Sequence, residues 1–234
     1  IVLTTPILRC LKRKYPDAEL HYFTKKSFAG ILEANPNVAV VHTLQEDLQE
    51  NISTLKALNF DAVIDLHNNL RTLRVKRALN VKRTYSFPKL NIEKWLYVNL
   101  KWNVMPPISI VERYFKTVAA LHVVNDGLGL DYYIPEDKAT DKDDIPMGHW
   151  MGYVACVVGG SFATKQFPEN KWKDLVAKIN YPIILLGGPE DKPLADAITA
   201  TDPDKIYNAC GKFSLMESAD LVKKSKVVIS NDTG

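Results

Sequence analysis

Four short clusters in this 234-residue chain combine glycine, hydroxyl and charge in ways that suit a phosphate or a sugar. Gly159-Gly160-Ser161 runs into Thr164-Lys165. Glycines let a backbone approach a phosphate, the hydroxyls donate hydrogen bonds, and Lys165 offers positive charge to a diphosphate. The same residues also suit an ordinary strand-to-helix loop with a solvated lysine. The P-loop pattern, GxxxxGK followed by Ser or Thr, is absent, and so is the dinucleotide pattern GxGxxG. Gly187-Gly188-Pro189-Glu190 is a tight turn into a helix, where Glu190 either gains from the helix dipole or accepts hydrogen bonds from a ribose or base. Asp232-Thr233-Gly234 supplies a carboxylate, a hydroxyl and flexible backbone, enough to grip sugar hydroxyls and phosphate together. Asp and Thr are also good helix N-caps, and the two roles are compatible. In Asp65-Leu66-His67-Asn68-Asn69 the histidine suits acid–base work, a structural role or the orienting of an acceptor. Behind it Arg71, Arg74 and Arg77 recur every three residues beside Leu70, Leu73 and Leu79. That stripe is either a solvated face or a site for an anionic acceptor or membrane surface.

Each cluster comes after a short apolar run that reads as a strand. Those runs end at Val157-Val158, span Ile183–Leu186 and Val227-Val228-Ile229, and in the first half span 62–66. In an open parallel sheet the carboxyl ends of the strands form the ligand crevice, and helix N-termini there favour phosphate. Further strands are expected at 19–23, 38–42 and 83–87, with helices around 92–100 and 108–122. Ile1-Val2-Leu3 reads as the tail of a strand, and a helix from Pro6 would place Ile7, Leu8, Leu11 and Tyr15 on one face. This strand–helix alternation predicts an α/β protein with parallel sheets. Residues 125–148 are polar and rich in Gly, Pro and Asp, a linker signature. The expected halves are 1–148, including that linker, and 149–234. In the second half a helix is expected at 171–179, and Ser214-Leu215-Met216-Glu217 reads as a capping box.

Composition narrows the class without naming a ligand. The chain is 46% hydrophobic and 24% charged, ordinary for a globular domain, and its net charge of +3 gives no argument for nucleic acid. Cys10, Cys156 and Cys210 are far apart and lack metal-ligand spacing, so buried reduced thiols are expected. No apolar run is long enough to span a bilayer, and no signal peptide is visible. Opening at Ile1 and stopping at Asp-Thr-Gly, where a helix should start, the sequence reads as a piece of a longer chain.

Taken together these residues resemble the ADP-heptose:lipopolysaccharide heptosyltransferases, glycosyltransferase family nine. Ile1-Val2-Leu3-Thr4-Thr5-Pro6-Ile7-Leu8 is similar to the stretch after the Gly-Asp pair in that family's opening segment. The strand end Asp61–His67 is similar to its "DLQG"-like segment, with His67-Asn68-Asn69 standing where Gln-Gly is usual. The likeness is clearest in Gly160-Ser161, Lys165-Gln166-Phe167-Pro168, Trp172, Gly187-Gly188-Pro189-Glu190, Gly211-Lys212 with Ser214-Leu215, and Asn231-Asp232-Thr233-Gly234.

The resemblance implies a GT-B fold, in which an N-terminal acceptor domain and a C-terminal sugar-nucleotide domain face each other across a cleft. It implies inverting, metal-independent and cofactor-free transfer of a sugar, typically heptose, from ADP to lipopolysaccharide core at the inner face of the cytoplasmic membrane. By position, Ser161, Thr164 and Lys165 would bind the donor diphosphate, and Glu190 the nucleoside. Asp232, Thr233 and Gly234 would hold the donor sugar and phosphates. Thr5, His67, Asn68, Arg71 and Arg74 would serve an anionic, lipopolysaccharide-type acceptor. The family's general base is the Asp of the opening Gly-Asp pair, expected just before Ile1, so the 234 residues alone are expected to be inactive or nearly so. Two other readings are a sugar-nucleotide epimerase of the same fold, needing no lipid acceptor, and a non-catalytic nucleotide-sugar-binding module. A Rossmann dehydrogenase would need a dinucleotide fingerprint after one of its strands, and none of the strands here has one.

Overall fold

The computed structural model describes residues 1–160 and 162–231. They divide into two units, Ile1–Tyr133 and Ile134–Gly234, each an alternation of strands and helices. The division falls inside the polar 125–148 stretch.

The first unit opens differently from its expected strand. Val2–Thr4 form a 3-10 turn that runs directly into helix α1 (Thr5–Lys14). The hydroxyls explain the change. Thr4 Oγ1 donates to the Ile1 carbonyl at 2.7 Å and Thr5 Oγ1 to that of Val2 at 2.8 Å, closing a turn instead of extending the chain. Next come β1 (His21–Lys25), α2 (Lys26–Glu33), β2 (Val40–Leu44) and α3 (Leu48–Ala57). β3 (Ala62–Asp65), α4 (Leu70–Leu79), β4 (Arg83–Ser86), α5 (Asn91–Leu100) and α6 (Ile110–Thr117) complete the unit. β1 pairs in parallel with β2, His21 opposite Val40, and β3 in parallel with β4, Ala62 opposite Arg83. One apolar cluster packs Ile7, Cys10 and Leu11 of α1 against Phe115, Val118 and Val123. A second joins Ile52, Leu55 and Val75 of α3 and α4.

The start of the polar stretch is tied to this unit. Arg9 donates to both carboxylate oxygens of Asp126, at 2.7 and 2.9 Å, and is ion-paired with Asp131. The hydrogen bond to Asp126 leads in holding the Arg9 guanidinium above its ordinary pKa. The Asp126 carboxyl falls well below the usual range for the same reason.

In the second unit β5 (Val154–Val157), β6 (Ile183–Leu186), β7 (Ile206–Asn208) and β8 (Val227–Ser230) form one parallel sheet in the order β7-β6-β5-β8. Helices α7 (Glu169–Lys178), α8 (Lys192–Thr199) and α9 (Leu215–Lys224) connect the strands. Every residue of β6 is buried, which suits a strand covered on both faces by helices. Val154, Cys156, Ile183 and Leu185 pack on one side with Trp172, Val176 and Ile198, while Ala155, Ile184 and Leu186 pack on the other with Leu221. Ser214 caps α9 in the expected capping box, its hydroxyl accepting from the Glu217 amide at 3.3 Å while Glu217 accepts from the Ser214 amide at 2.6 Å. The end of the polar stretch belongs here. The amide and hydroxyl of Thr140 both donate to Asp220 at 2.8 Å, and His149 Nε2 donates to the Ile183 carbonyl at 3.1 Å.

Cys10, Cys156 and Cys210 are free and buried. Burial raises the Cys10 thiol pKa and pushes those of Cys156 and Cys210 up to about 12.

Candidate functional site

The carboxyl ends of the second unit's parallel strands are stapled into one row of loops. Asn231, just past β8, is buried and reaches back to β5. Its amide nitrogen donates to the carbonyls of Val158 at 2.7 Å and Gly159 at 3.1 Å. Its side-chain oxygen accepts from the Phe167 amide at 3.2 Å. Gln166 closes the same loop by donating to the Gly160 carbonyl at 2.7 Å, and Phe167 packs edge-on against Trp172, 5.4 Å between centroids. The segment carrying Thr164 and Lys165, a 3-10 turn over Ala163–Lys165, is thereby pinned to the ends of β5 and β8.

Asp191 packs between the ends of β5 and β6, close to Gly159 and Gly187. Its carboxylate is buried and accepts from the Gly188 amide at 2.8 Å. A Cβ on Gly159 would lie 2.5 Å from an Asp191 oxygen, and one on Gly187 would lie 2.7 Å from it, so both positions require glycine on steric grounds. The Gly211 amide donates to the Gly187 carbonyl at 3.1 Å, tying β7's end to β6's. Gly211 combines a left-handed backbone (φ +71°) with Pro189 Cα 3.0 Å from where its Cβ would stand. Lys212 is next, its ammonium 4.3 Å from the Tyr207 ring centroid.

In the first unit the loop after β3 is built around a buried carboxylate. Asp65 Oδ1 accepts from the amides of His67 at 3.0 Å and Asn68 at 2.6 Å, and Lys76 Nζ lies 2.8 Å from Oδ2. Burial works to raise the Asp65 pKa, but the Lys76 ammonium and the loop amides outweigh it, and the carboxyl titrates below its ordinary value. Asn68 takes a left-handed backbone (φ +48°), and its side-chain amide donates to the Phe87 carbonyl just past β4 at 2.8 Å. Asn69 and Thr72 cap α4 reciprocally.

The expected donor residues Thr164, Lys165 and Glu190 therefore stand on a single stapled row. Thr164 and Glu190 are exposed and Lys165 is half-buried. Ser161, Asp232, Thr233 and Gly234 lie outside the described residues. Of the expected acceptor residues, His67, Arg71 and Arg74 are exposed at or just beyond the end of β3, and Asn68 is half-buried there. Thr5 stands apart from them. It is buried, and its hydroxyl, besides donating to Val2, accepts from the Asp131 amide at 2.9 Å. Sequence reasoning misses four residues that hold these loops: Asp191, Asn231, Gln166 and Lys76. Asn231 and Gln166 sit inside motifs that the sequence marks, while Asp191 is masked by its exposed neighbour Glu190.

The profile of "Glycosyltransferase family 9 (heptosyltransferase)" matches residues 50–234. Lipopolysaccharide heptosyltransferase 1 of Campylobacter coli is 24% identical over an alignment that covers all of this chain and 75% of that protein. Lipopolysaccharide heptosyltransferase 3 of Escherichia coli K12 is 22% identical, with 100% and 74% covered. Among solved structures, a family 9 glycosyltransferase from Veillonella parvula superimposes with a TM-score of 0.81 at 19% identity, covering 99% of this chain and 71% of that one. The E. coli ADP-heptose lipopolysaccharide heptosyltransferase II gives 0.76 at 15% identity, covering 99% and 75%. The two-unit α/β architecture with parallel sheets is thus the GT-B fold that the resemblance implied. Profile, relatives and fold agree, and the chain belongs to glycosyltransferase family 9.

Proposed function

We propose that the protein transfers a heptose from ADP-heptose to the core of a lipopolysaccharide acceptor, with inversion and without a metal ion, at the cytoplasmic face of the inner membrane. The observation that carries this reading is the stapled row of strand ends in the second unit. It aligns the Thr164-Lys165 turn with the Gly187–Glu190 turn and with the start of Asn231-Asp232-Thr233-Gly234, at the carboxyl ends of parallel strands where sheets of this kind bind their ligands. Relatives named as lipopolysaccharide heptosyltransferases, and a structural neighbour solved with ADP (E. coli WaaC, TM-score 0.72), support the choice of donor and acceptor.

In the reaction an acceptor oxygen attacks the anomeric carbon as the bond from that carbon to the diphosphate oxygen breaks. The acceptor proton passes to a general base, and negative charge grows on the departing ADP. Lys165, with Ser161 and Thr164 donating hydrogen bonds, meets that charge where it develops. Glu190 accepts from the nucleoside, and Asp232, Thr233 and Gly234 hold the sugar and phosphates. On the acceptor side His67 and Asn68 orient the sugar, while Arg71 and Arg74 pair with its anionic groups.

The test is transfer itself. Incubated with ADP-heptose and heptose-free lipopolysaccharide, the protein at its natural full length should add one heptose to the acceptor, read by mass spectrometry, and a chelator should not stop it. Lys165→Ala should raise the KM for ADP-heptose about tenfold or more, the worth of one charge-assisted hydrogen bond. Conversion of ADP-heptose to an isomer with no acceptor present would replace transfer by epimerisation.

A further inference from the structure

We infer that α5 and the turn after it form a docking surface for an anionic lipid bilayer. The helix has no buried residue. Ile92 is 74% exposed, Trp95 56% and Val98 63%, and Trp102 just beyond the helix is 63% exposed. Tyr97 and Leu100 are exposed as well, so apolar side chains emerge on several sides of a helix that the rest of the unit does not cover. A helix apolar around most of its girth normally lies inside a core, and an exposed patch of this kind marks an interaction site.

Its chemistry selects the occupant. Tryptophan and tyrosine favour the boundary between acyl chains and headgroups, and lysines there gain from anionic lipids. Lys89, Lys94 and Lys101 flank these aromatics, against one acidic residue, Glu93. A second copy of the chain in a two-fold contact would set these lysines against each other. An anionic bilayer complements them.

The position of the patch agrees. Asn68 bonds the Phe87 carbonyl, so the lead-in to α5 leaves the same end of the β3–β4 sheet as the His67-Asn68 loop. Leu70, at the start of α4 beside that loop, is 80% exposed. A lipid-borne acceptor could keep its acyl chains in the leaflet while its sugar reaches the loop; only this placement rests on the transferase reading, since the surface chemistry stands without it.

The experiment is flotation of the full-length protein with vesicles of phosphatidylethanolamine and phosphatidylglycerol, against vesicles of phosphatidylcholine alone. Expected is binding to the anionic vesicles, weakened roughly tenfold or more by the pair Trp95→Ser and Trp102→Ser, and likewise by Lys89→Ala with Lys94→Ala. The substituted side chains are exposed, so melting temperature and affinity for ADP should stay at wild-type values. Absence of flotation, or flotation indifferent to both pairs, overturns the inference. Self-association abolished by the tryptophan pair would assign the patch to a second copy and also overturn it. ADP binding measured on the same samples tests the transferase reading separately.

Discussion

The two rows of strand ends are held by different forces. In the second unit the staples are mostly uncharged amides, joined by the Asp191 carboxylate, on a sheet whose central strands β5 and β6 are buried almost throughout. In the first unit the loop after β3 hangs on an ion pair, Asp65 with Lys76, above strands that are only partly buried. The backbones differ in the same sense. Among the described residues, non-glycine positions in the left-handed region all fall in the first unit, at Asn59, Asn68, Asn80, Lys101 and His122. In the second unit Gly152 and Gly211 take that conformation. Close packing shapes one row; charge and locally bonding side chains shape the other.

The sharpest way to break the comparison is to open the second unit's core. Leu185→Ala, at a fully buried site, should cost about 4 kcal/mol, whereas Val63→Ala on half-buried β3 should cost nearer ~1 kcal/mol, both read from urea unfolding. Next comes the ion pair. Asp65→Asn should cost about 3 kcal/mol, because it leaves the largely covered Lys76 ammonium with Ser86 Oγ but without its counter-charge. The depressed pKa of Asp65 sets the pH dependence. Its stabilisation is whole above the ordinary carboxylate value of about 4 and is lost as pH falls through the lower folded value. Acid should therefore lower the protection factors of the His67 and Asn68 amides, measured against the intrinsic exchange rate at each pH, and Asp65→Asn should remove that response.

Gly159→Ala should act in the opposite unit, pushing on Asp191 for about 2 kcal/mol and weakening ADP binding at the same time. The smallest effect should be the same on both sides. Ser109→Ala and Ser214→Ala each remove the hydroxyl of a capping box and should cost about 1 kcal/mol apiece, by thermal melting. Unequal costs would mean that the units differ in local helix stability as well as in packing.

Much of the fold is legible in the sequence because it is local. The run Ile183-Ile184-Leu185-Leu186, the box from Ser214 to Glu217 and the turns after β5 and β6 each announce themselves within a few residues. β7 does not, because Ile206–Asn208 has three residues and takes its place only by pairing with β6. Ile1-Val2-Leu3 has strand-like composition, and the pair of threonine hydroxyls after it bends it into a turn. The clasp of Arg9 on Asp126 closes across 117 residues, so nothing in the neighbourhood of either residue reveals it. Asp191 is hidden for another reason. Beside Glu190 in a helix's first turn, two carboxylates look alike, and only the tertiary structure shows which one is buried under the glycines.

The three protonated, buried thiols give each unit its own clock. A thiol whose pKa is raised by burial meets an alkylating reagent only when its surroundings open, so modification rates report opening frequencies. Cys10 times the first unit and Cys156 with Cys210 the second, so one time course read by peptide mass could show which half of the protein breathes when a nucleotide or a lipid surface is added.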